Sequence, residues 1–383
     1  MKYIEDIDVR NKKVILRLDL NVTIKDGKIV DDTKIKKSIP TIKYLLNNNA
    51  KVLIMSHLGK VKTEEDKLDK SLKIVAQSLS NLMNEEVYFV NTTRGSELEH
   101  SLDNHKLVLM ENTRFEDIDG KKESGCDESL SLYWASLGEV FINDAFGTTH
   151  RKHASNYGIS SHLPSAYGFL INEELIGLDP IINNIKRPFT VIMGGAKVDD
   201  KVALIETLLK ESDYILVGGG IANTFLKSVG YNIGTSLYSE EYVDRIRTLI
   251  SEYREKIIMP IDVVVKEREN ISVKSVASVP TDAAIYDIGD KTIEKYKEYI
   301  QKSETIFVNG TMGLYEDEQF RQGTEHLYQE LSHVNSVKIA GGGDAVASIN
   351  KLSYADVFDF LSTGGGATLE YIVEKKINCF GEE

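Results

Sequence analysis

Four glycine clusters hold the first chemical signal in the chain. Gly194-Gly195, Gly218-Gly219-Gly220, Gly341-Gly342-Gly343 and Gly364-Gly365-Gly366 each close an apolar run and precede a helical pattern. Amides with no side chain in front of them, backed by helix N-termini, approach phosphate oxygens closely. One such cluster only turns a chain, but four at the same place in successive strand–helix units point to a nucleotide phosphate site. None is a Walker A loop, because GGAKV lacks its order and spacing. Lys197 and Lys201 lie four apart and are expected on one face at a helix N-terminus, a place where cations imply a neighbouring anion. The plainer reading is two solvated lysines beside Asp199 and Asp200. Asp344, directly after Gly343, is a candidate Mg²⁺ ligand, with an N-cap as its structural alternative. Glu316, after TIFVNGTMGLY, suits ribose hydroxyls or plain solvent.

The first half carries side chains where the second carries glycines. Asp19 and Asn21 close one apolar run, His57 and Lys60 another, and Arg114 a third; His150, Arg151 and His153 follow a fourth, and Lys34 opens a helical stretch. Guanidinium forks and neutral histidines at strand ends suit a small, multiply anionic substrate. No Ser/His/Asp order, catalytic carboxylate pair or zinc spacing stands out, which ranks nucleophilic and metal-hydrolytic chemistry low.

The elements that must position these residues alternate along the whole chain. β-Branched runs at 14–22, 51–59, 87–90, 107–115 and 140–146 are separated by amphipathic stretches such as 35–47 and 72–83. Further runs at 190–195, 214–220, 257–265, 305–310, 337–343 and 357–366 repeat the pattern, as parallel sheets covered by helices require. A length of 383 residues suggests two domains, or three. A formal charge of −13 repels nucleic acid and anionic membrane, so an anionic ligand needs a local basic cluster. Cys126 and Cys379 are the only cysteines, which fits a reducing compartment and excludes a disulfide scaffold. The acidic start MKYIEDIDVRNKK and the lack of a long apolar run predict a soluble, cytoplasmic protein with no membrane partner.

The strings LRLDLNVTIKDGKIVDDTKI, PTIKYLL, MSHLGK, MENTRF, INDAFGTTHRKHAS, GFLINEEL, MGGAKVDDK, LVGGGIANTFLK, IDVVV, VNGTMGLYE, AGGGDA and STGGGATLE resemble phosphoglycerate kinases in order and spacing along nearly the whole chain. The resemblance implies an α/β fold of two Rossmann-like lobes, each a parallel sheet flanked by helices, joined by a hinge helix. By position it implies a 3-phosphoglycerate lobe at 1–167, a hinge helix at 168–181 and a nucleotide lobe at 182–362. A hinge segment and tail at 363–383 would return to the first lobe. It implies Mg²⁺ with ADP or ATP as cofactor, 3-phosphoglycerate and 1,3-bisphosphoglycerate as substrates, and a monomer. Asp19, Asn21, Lys34, His57, Lys60, Arg114, His150 and Arg151 fall on substrate positions. Gly195, Lys197, Lys201, Gly219, Asn309, Gly313, Glu316, Gly343, Asp344 and Ala345 fall on nucleotide positions, with Asp344 the metal ligand. Lys34, Lys197, Gly342 and Gly365 fall on catalytic positions.

Direct, reversible phosphoryl transfer from the acyl phosphate to the ADP β-phosphate is then expected, with Lys197 neutralising the moving group while Lys34 and Arg114 hold the acceptor side. Several positions depart from the family pattern. Lys34 and Lys60 stand where arginines are usual; Thr23, Thr311 and Ala345 replace Pro, Pro and Thr; and the tail reads KINCFGEE. Two alternatives remain open at this point: a kinase for another small carboxylate or phosphate, and a nucleotide-responsive binding protein of low activity.

Overall fold

The computed structural model describes residues 2–196, 198–377 and 379–380. The chain divides into two compact units, one of residues 1–175 with 376–383 and the other of residues 176–375.

The first unit is built on a six-stranded, all-parallel sheet in the order Tyr88–Val90, Leu107–Met110, Lys51–Met55, Lys13–Leu18, Val140–Asp144, Ser165–Tyr167. Lys13–Leu18 lies central because its apolar residues point to both faces, and Val14 registers with Val52 on one side and Val140 on the other. The pleat separates those residues by parity. Val14, Leu16 and Leu18 pack with Ile35, Ile42, Val75 and Leu79 from helices Thr33–Asn47 and Lys73–Met83. Ile15 packs on the opposite face with Leu98, Leu102, Leu130 and Trp134 from Ser96–Asn104 and Glu128–Ala135. Each fully buried aliphatic side chain contributes about 1.5–3 kcal/mol, so both faces hold the sheet. The edge strand Ser165–Tyr167 is covered from both ends of the chain. Tyr3 bridges Tyr167, whose amide donates to the Lys2 carbonyl, while the Phe380 ring stacks on the Tyr167 ring.

The second unit has its own six-stranded parallel sheet, ordered Ile257–Ile258, Tyr214–Val217, Phe189–Met193, Thr305–Asn309, Val337–Ala340, Phe360–Leu361. Chain order thus reverses between Phe189–Met193 and Thr305–Asn309. Ligands of open parallel sheets bind outside the carboxyl ends at such a reversal. The apolar run at 257–265 is not one strand, as expected, but two. Pro260 interrupts it, and Asp262–Glu267 passes into a separate antiparallel sheet with Asn270–Ser275 and Ala284–Ile288. Among the described residues no helix is long and apolar enough to cross a membrane.

Three of the four glycine clusters open helices directly, at Gly219–Ser228, Gly343–Lys351 and Gly366–Glu374, with Gly218, Gly342 and Gly365 as N-caps. The fourth does not. Behind Gly195 the chain runs through a 3₁₀ turn, Asp199–Lys201, and the α-helix begins only at Val202 with Lys201 as its N-cap. The expected α-helical position is therefore corrected for Lys201, which ends that turn and caps the helix behind it, while Lys197 lies outside the described residues.

Candidate active site

The polar residues of the first unit follow the carboxyl ends of its strands. Asp19 succeeds Leu18, His57 lies two residues beyond Met55, and Arg114 sits in the 3₁₀ turn Thr113–Asp117 behind Met110. The Lys34 ammonium, from the first turn of Thr33–Asn47, donates to Asp19 Oδ2 at 2.8 Å. Burial works against the Asp19 charge, but Lys34, His57 and Arg17 outweigh it and hold the carboxyl below its usual value. Asn21 Oδ1 accepts from the Gly59 amide at 2.8 Å, tying the first strand end to the second. Lys60 is exposed and, with Arg114, lines a cavity of about 440 Å³.

Arg114 donates through Nη1 to Asp117 at 2.7 Å, while its buried Nε has no partner among the described residues. Arg151 Nε donates to His150 Nε2 at 2.9 Å. A guanidinium only donates, so His150 accepts at Nε2 and carries its hydrogen on Nδ1. That buried Nδ1 likewise lacks a partner among the described residues. Burial and then the Arg151 charge push His150 down to about 4, and burial and the surrounding arginines push His153 down to about 3. Near neutral pH this cluster offers guanidinium charge and uncharged imidazole donors, the equipment for a carboxylate or phosphate.

In the second unit the glycine clusters meet at the sheet reversal. The Gly194 amide donates to Asn309 O at 2.9 Å, Gly195 to Thr311 O at 3.0 Å and Gly219 to Met312 O at 2.8 Å. Lys201 Nζ donates to Gly194 O at 2.8 Å. Asn309 donates to Gly341 O at 2.6 Å, and its buried Oδ1 is unpaired among the described residues. Gly342 has φ +98°, and a Cβ there would lie 2.5 Å from Asn309 Nδ2, so only glycine lets the backbone pass this close. Two cavities adjoin these elements. One, of about 400 Å³, is lined by Gly195, Gly219, Gly313, Glu316 and Asp344, with Leu237 and Leu314 as apolar walls. The other, of about 500 Å³, is lined by Lys201, Asn309, Gly342, Gly343, Ala345 and Gly365, and again by Asp344.

Asp344 is thus shared by both cavities. It lies in the first turn of Gly343–Lys351, whose N-cap is Gly342, so the N-cap alternative for this aspartate is set aside. Among the described residues no group of three or more His, Cys, Asp or Glu side chains could by itself hold a metal. A single exposed carboxylate on a cavity lined by glycine amides does suit Mg²⁺, which is commonly held by one or two carboxylates together with substrate phosphates. Lys197 lies outside the described residues.

Sequence reasoning missed three residues of these sites. Arg17, fully buried in Lys13–Leu18, was hidden inside the apolar string VILRLDLNV, although an arginine amid buried strand residues is itself a signal. Buried Glu123 gave no signal in the polar stretch KKESG. Asp287, buried and accepting from the Gly323 amide at 2.7 Å, wedges against Gly313 from the antiparallel sheet that the periodicity did not separate.

The family model for phosphoglycerate kinase matches residues 4–375. The chain belongs to the phosphoglycerate kinase family. Phosphoglycerate kinases of Fusobacterium nucleatum and Enterococcus faecalis are each 47% identical to it over 385 aligned residues, covering 98% of this chain and 97% of theirs. The fold agrees with solved phosphoglycerate kinases. That of Coxiella burnetii superposes with a TM-score of 0.86 at 34% identity, covering 98% of this chain and 97% of that one. That of Pyrococcus horikoshii gives 0.84 at 30% identity, covering 99% and 97%.

Proposed function

We propose that this chain, a glycolytic kinase by family, moves a phosphoryl group reversibly between the acyl phosphate of 1,3-bisphosphoglycerate and the β-phosphate of ADP. The observation that supports this best is the pairing of two different anion sites in one family member. One is a side-chain cluster of arginines and neutral histidines, and the other is a glycine-amide cradle with two adjoining cavities. We assign 3-phosphoglycerate to Asp19, Asn21, Lys34, His57, Lys60, Arg114, His150 and Arg151. Arg114 Nε and His150 Nδ1, both buried and unpaired among the described residues, would donate to it. The nucleotide is assigned to Gly195, Lys201, Gly219, Asn309, Gly313, Glu316, Gly343, Asp344 and Ala345, with Lys197 beside them in sequence.

Asp344 would hold Mg²⁺, which when bound neutralises charge on the nucleotide phosphates. Lys34 and Arg114 orient the acceptor, Lys197 and Lys201 offset phosphoryl charge, and the amides at Gly342 and Gly365 receive it at two helix N-termini. No covalent enzyme intermediate is needed, since positioning and electrostatics carry such transfers. A cytoplasmic monomer completes the reading. A coupled assay with 3-phosphoglycerate, ATP and Mg²⁺ tests it. Turnover that depends on all three supports it. Nucleotide binding without turnover favours a binding protein, and turnover only with another small carboxylate or phosphate overturns the substrate.

A further inference from the structure

A second tier of polar groups lies behind the cation cluster, wholly out of contact with solvent. Glu123 is fully buried and takes two bonds from one residue: the Ser155 amide donates to Oε2 at 2.9 Å and the Ser155 hydroxyl to Oε1 at 2.5 Å. The same hydroxyl oxygen accepts from Arg17 Nε at 2.9 Å. Arg17, also fully buried, spends Nη1 on its neighbour's carbonyl at Leu18 and directs Nη2 at His57 Nδ1, 3.2 Å away.

The direction of every bond in this chain follows from the chemistry. The guanidinium has no acceptor, so Ser155 Oγ must accept from it and give its own proton to the carboxylate. For the same reason His57 Nδ1 must present its lone pair, which leaves the ring hydrogen on Nε2. No hydrogen bond from that nitrogen is made among the described residues. Asp19, Lys34 and Arg114 also face His57 electrostatically; burial and the adjacent Arg17 charge hold the ring well below the usual histidine range.

We infer that Glu123 and Ser155 are positioning residues: they hold Arg17 in the one orientation that locks His57 as a neutral Nε2–H donor for the anionic substrate. The inference rests on the substrate reading above for what His57 donates to, though not for the state of the ring. Two carboxylates offset the buried Arg17 charge, Glu123 more than Asp19, and a buried charge that loses such a partner is strongly disfavoured, so removing Glu123 loosens Arg17. The ring's tautomer is thereby set by a carboxylate three hydrogen bonds away, as more distant partners set the tautomer of other functional histidines.

The test uses the full chain labelled with ¹⁵N-histidine, with His57 assigned by comparison with His57→Gln. In the wild type His57 Nδ1 should show the resonance of an unprotonated nitrogen throughout pH 5.5–8.5. The double variant Arg17→Met/Glu123→Gln removes both buried charges together, so it avoids stranding either one. Its His57 Nδ1, no longer facing a guanidinium, should take up the ring hydrogen in part and show the averaged resonance of two exchanging tautomers, while burial still holds the ring below the ordinary value of about 6.5. Ser155→Ala should weaken 3-phosphoglycerate roughly tenfold by calorimetry while leaving Mg·ADP unchanged, and Ser155→Thr should restore much of the loss. A wild-type His57 protonated on Nδ1, or a double variant whose ring behaves as in the wild type, would overturn the inference. A locked Nε2–H ring in a protein that binds no 3-phosphoglycerate would support the lock and overturn the substrate reading.

Discussion

Replacing Lys34 by arginine asks directly what the departure from the family pattern does. Lys34 reaches Asp19 Oδ2 with a single ammonium contact of 2.8 Å, and its side chain is about a third exposed. The other Asp19 oxygen accepts from the Asn21 amide at 3.2 Å. An arginine at 34 can keep one N–H on Asp19 Oδ2 and aim a second, parallel N–H at the substrate, which a lysine at the same place cannot do. A charge-assisted hydrogen bond contributes about 1.5–3 kcal/mol. At about 1.4 kcal/mol per decade this is roughly tenfold to a hundredfold, and solvent access to this side chain argues for the lower end. Lys34→Arg should therefore raise kcat about tenfold in the coupled assay, with Mg·ADP affinity by calorimetry unchanged. An unchanged kcat would refute the argument, since it would mean that a single ammonium already supplies all the stabilisation this position can give.

Arg151→Ala should raise the Kd for 3-phosphoglycerate by roughly 10–100-fold and leave Mg·ADP binding intact; equal loss of both ligands by calorimetry would mean a damaged fold. Gly342→Ala forces a side chain into φ +98° and against Asn309 Nδ2, so it should cost about 1–3 kcal/mol in denaturant unfolding and weaken nucleotide binding. Asp144 is fully buried, and burial raises it to about 7 against the partial relief of the Thr41 hydroxyl and the Ile171 and Leu170 amides. Its folded-state value exceeds its unfolded one, so the folded chain keeps a proton the unfolded chain has lost between about pH 4 and 7. Stability from this group is complete below that window and is lost as pH rises through it. Asp144→Asn should flatten the corresponding part of the slope in urea midpoints measured from pH 4 to 8.

The layered α/β architecture was legible because both sheets are parallel and buried on two faces, which makes their strands read as plain apolar runs. The glycine clusters were legible for a related reason: backbone that closes on backbone, as Gly194 does on Thr311, excludes every side chain. Residues such as Arg17 were only half legible: a guanidinium inside an apolar run stands out, but its role comes from Glu123 and Ser155, more than a hundred positions away. The antiparallel sheet was missed because Asp262–Glu267 continues an apolar run across Pro260, and its partner Asn270–Ser275 exposes Ile271 and Val273 and so lacks a strongly buried face. The delayed helix start at Val202 was missed because sequence spacing alone does not distinguish a 3₁₀ turn from the first turn of an α-helix.

The stacking of Phe380 on Tyr167 also bears on how the protein is made. Cys379 and Tyr167 stand 212 residues apart in sequence, and the whole of the second unit lies between them. At about 5–20 residues per second, a ribosome needs roughly 10–40 s after making the edge strand before it supplies the ring that covers it. The half of the protein synthesised first is thus finished last. During that interval Tyr167, on the newborn sheet's margin, is paired with Val140–Asp144 and bridged by the amino-terminal segment, and the ring face that Phe380 later covers stays bare.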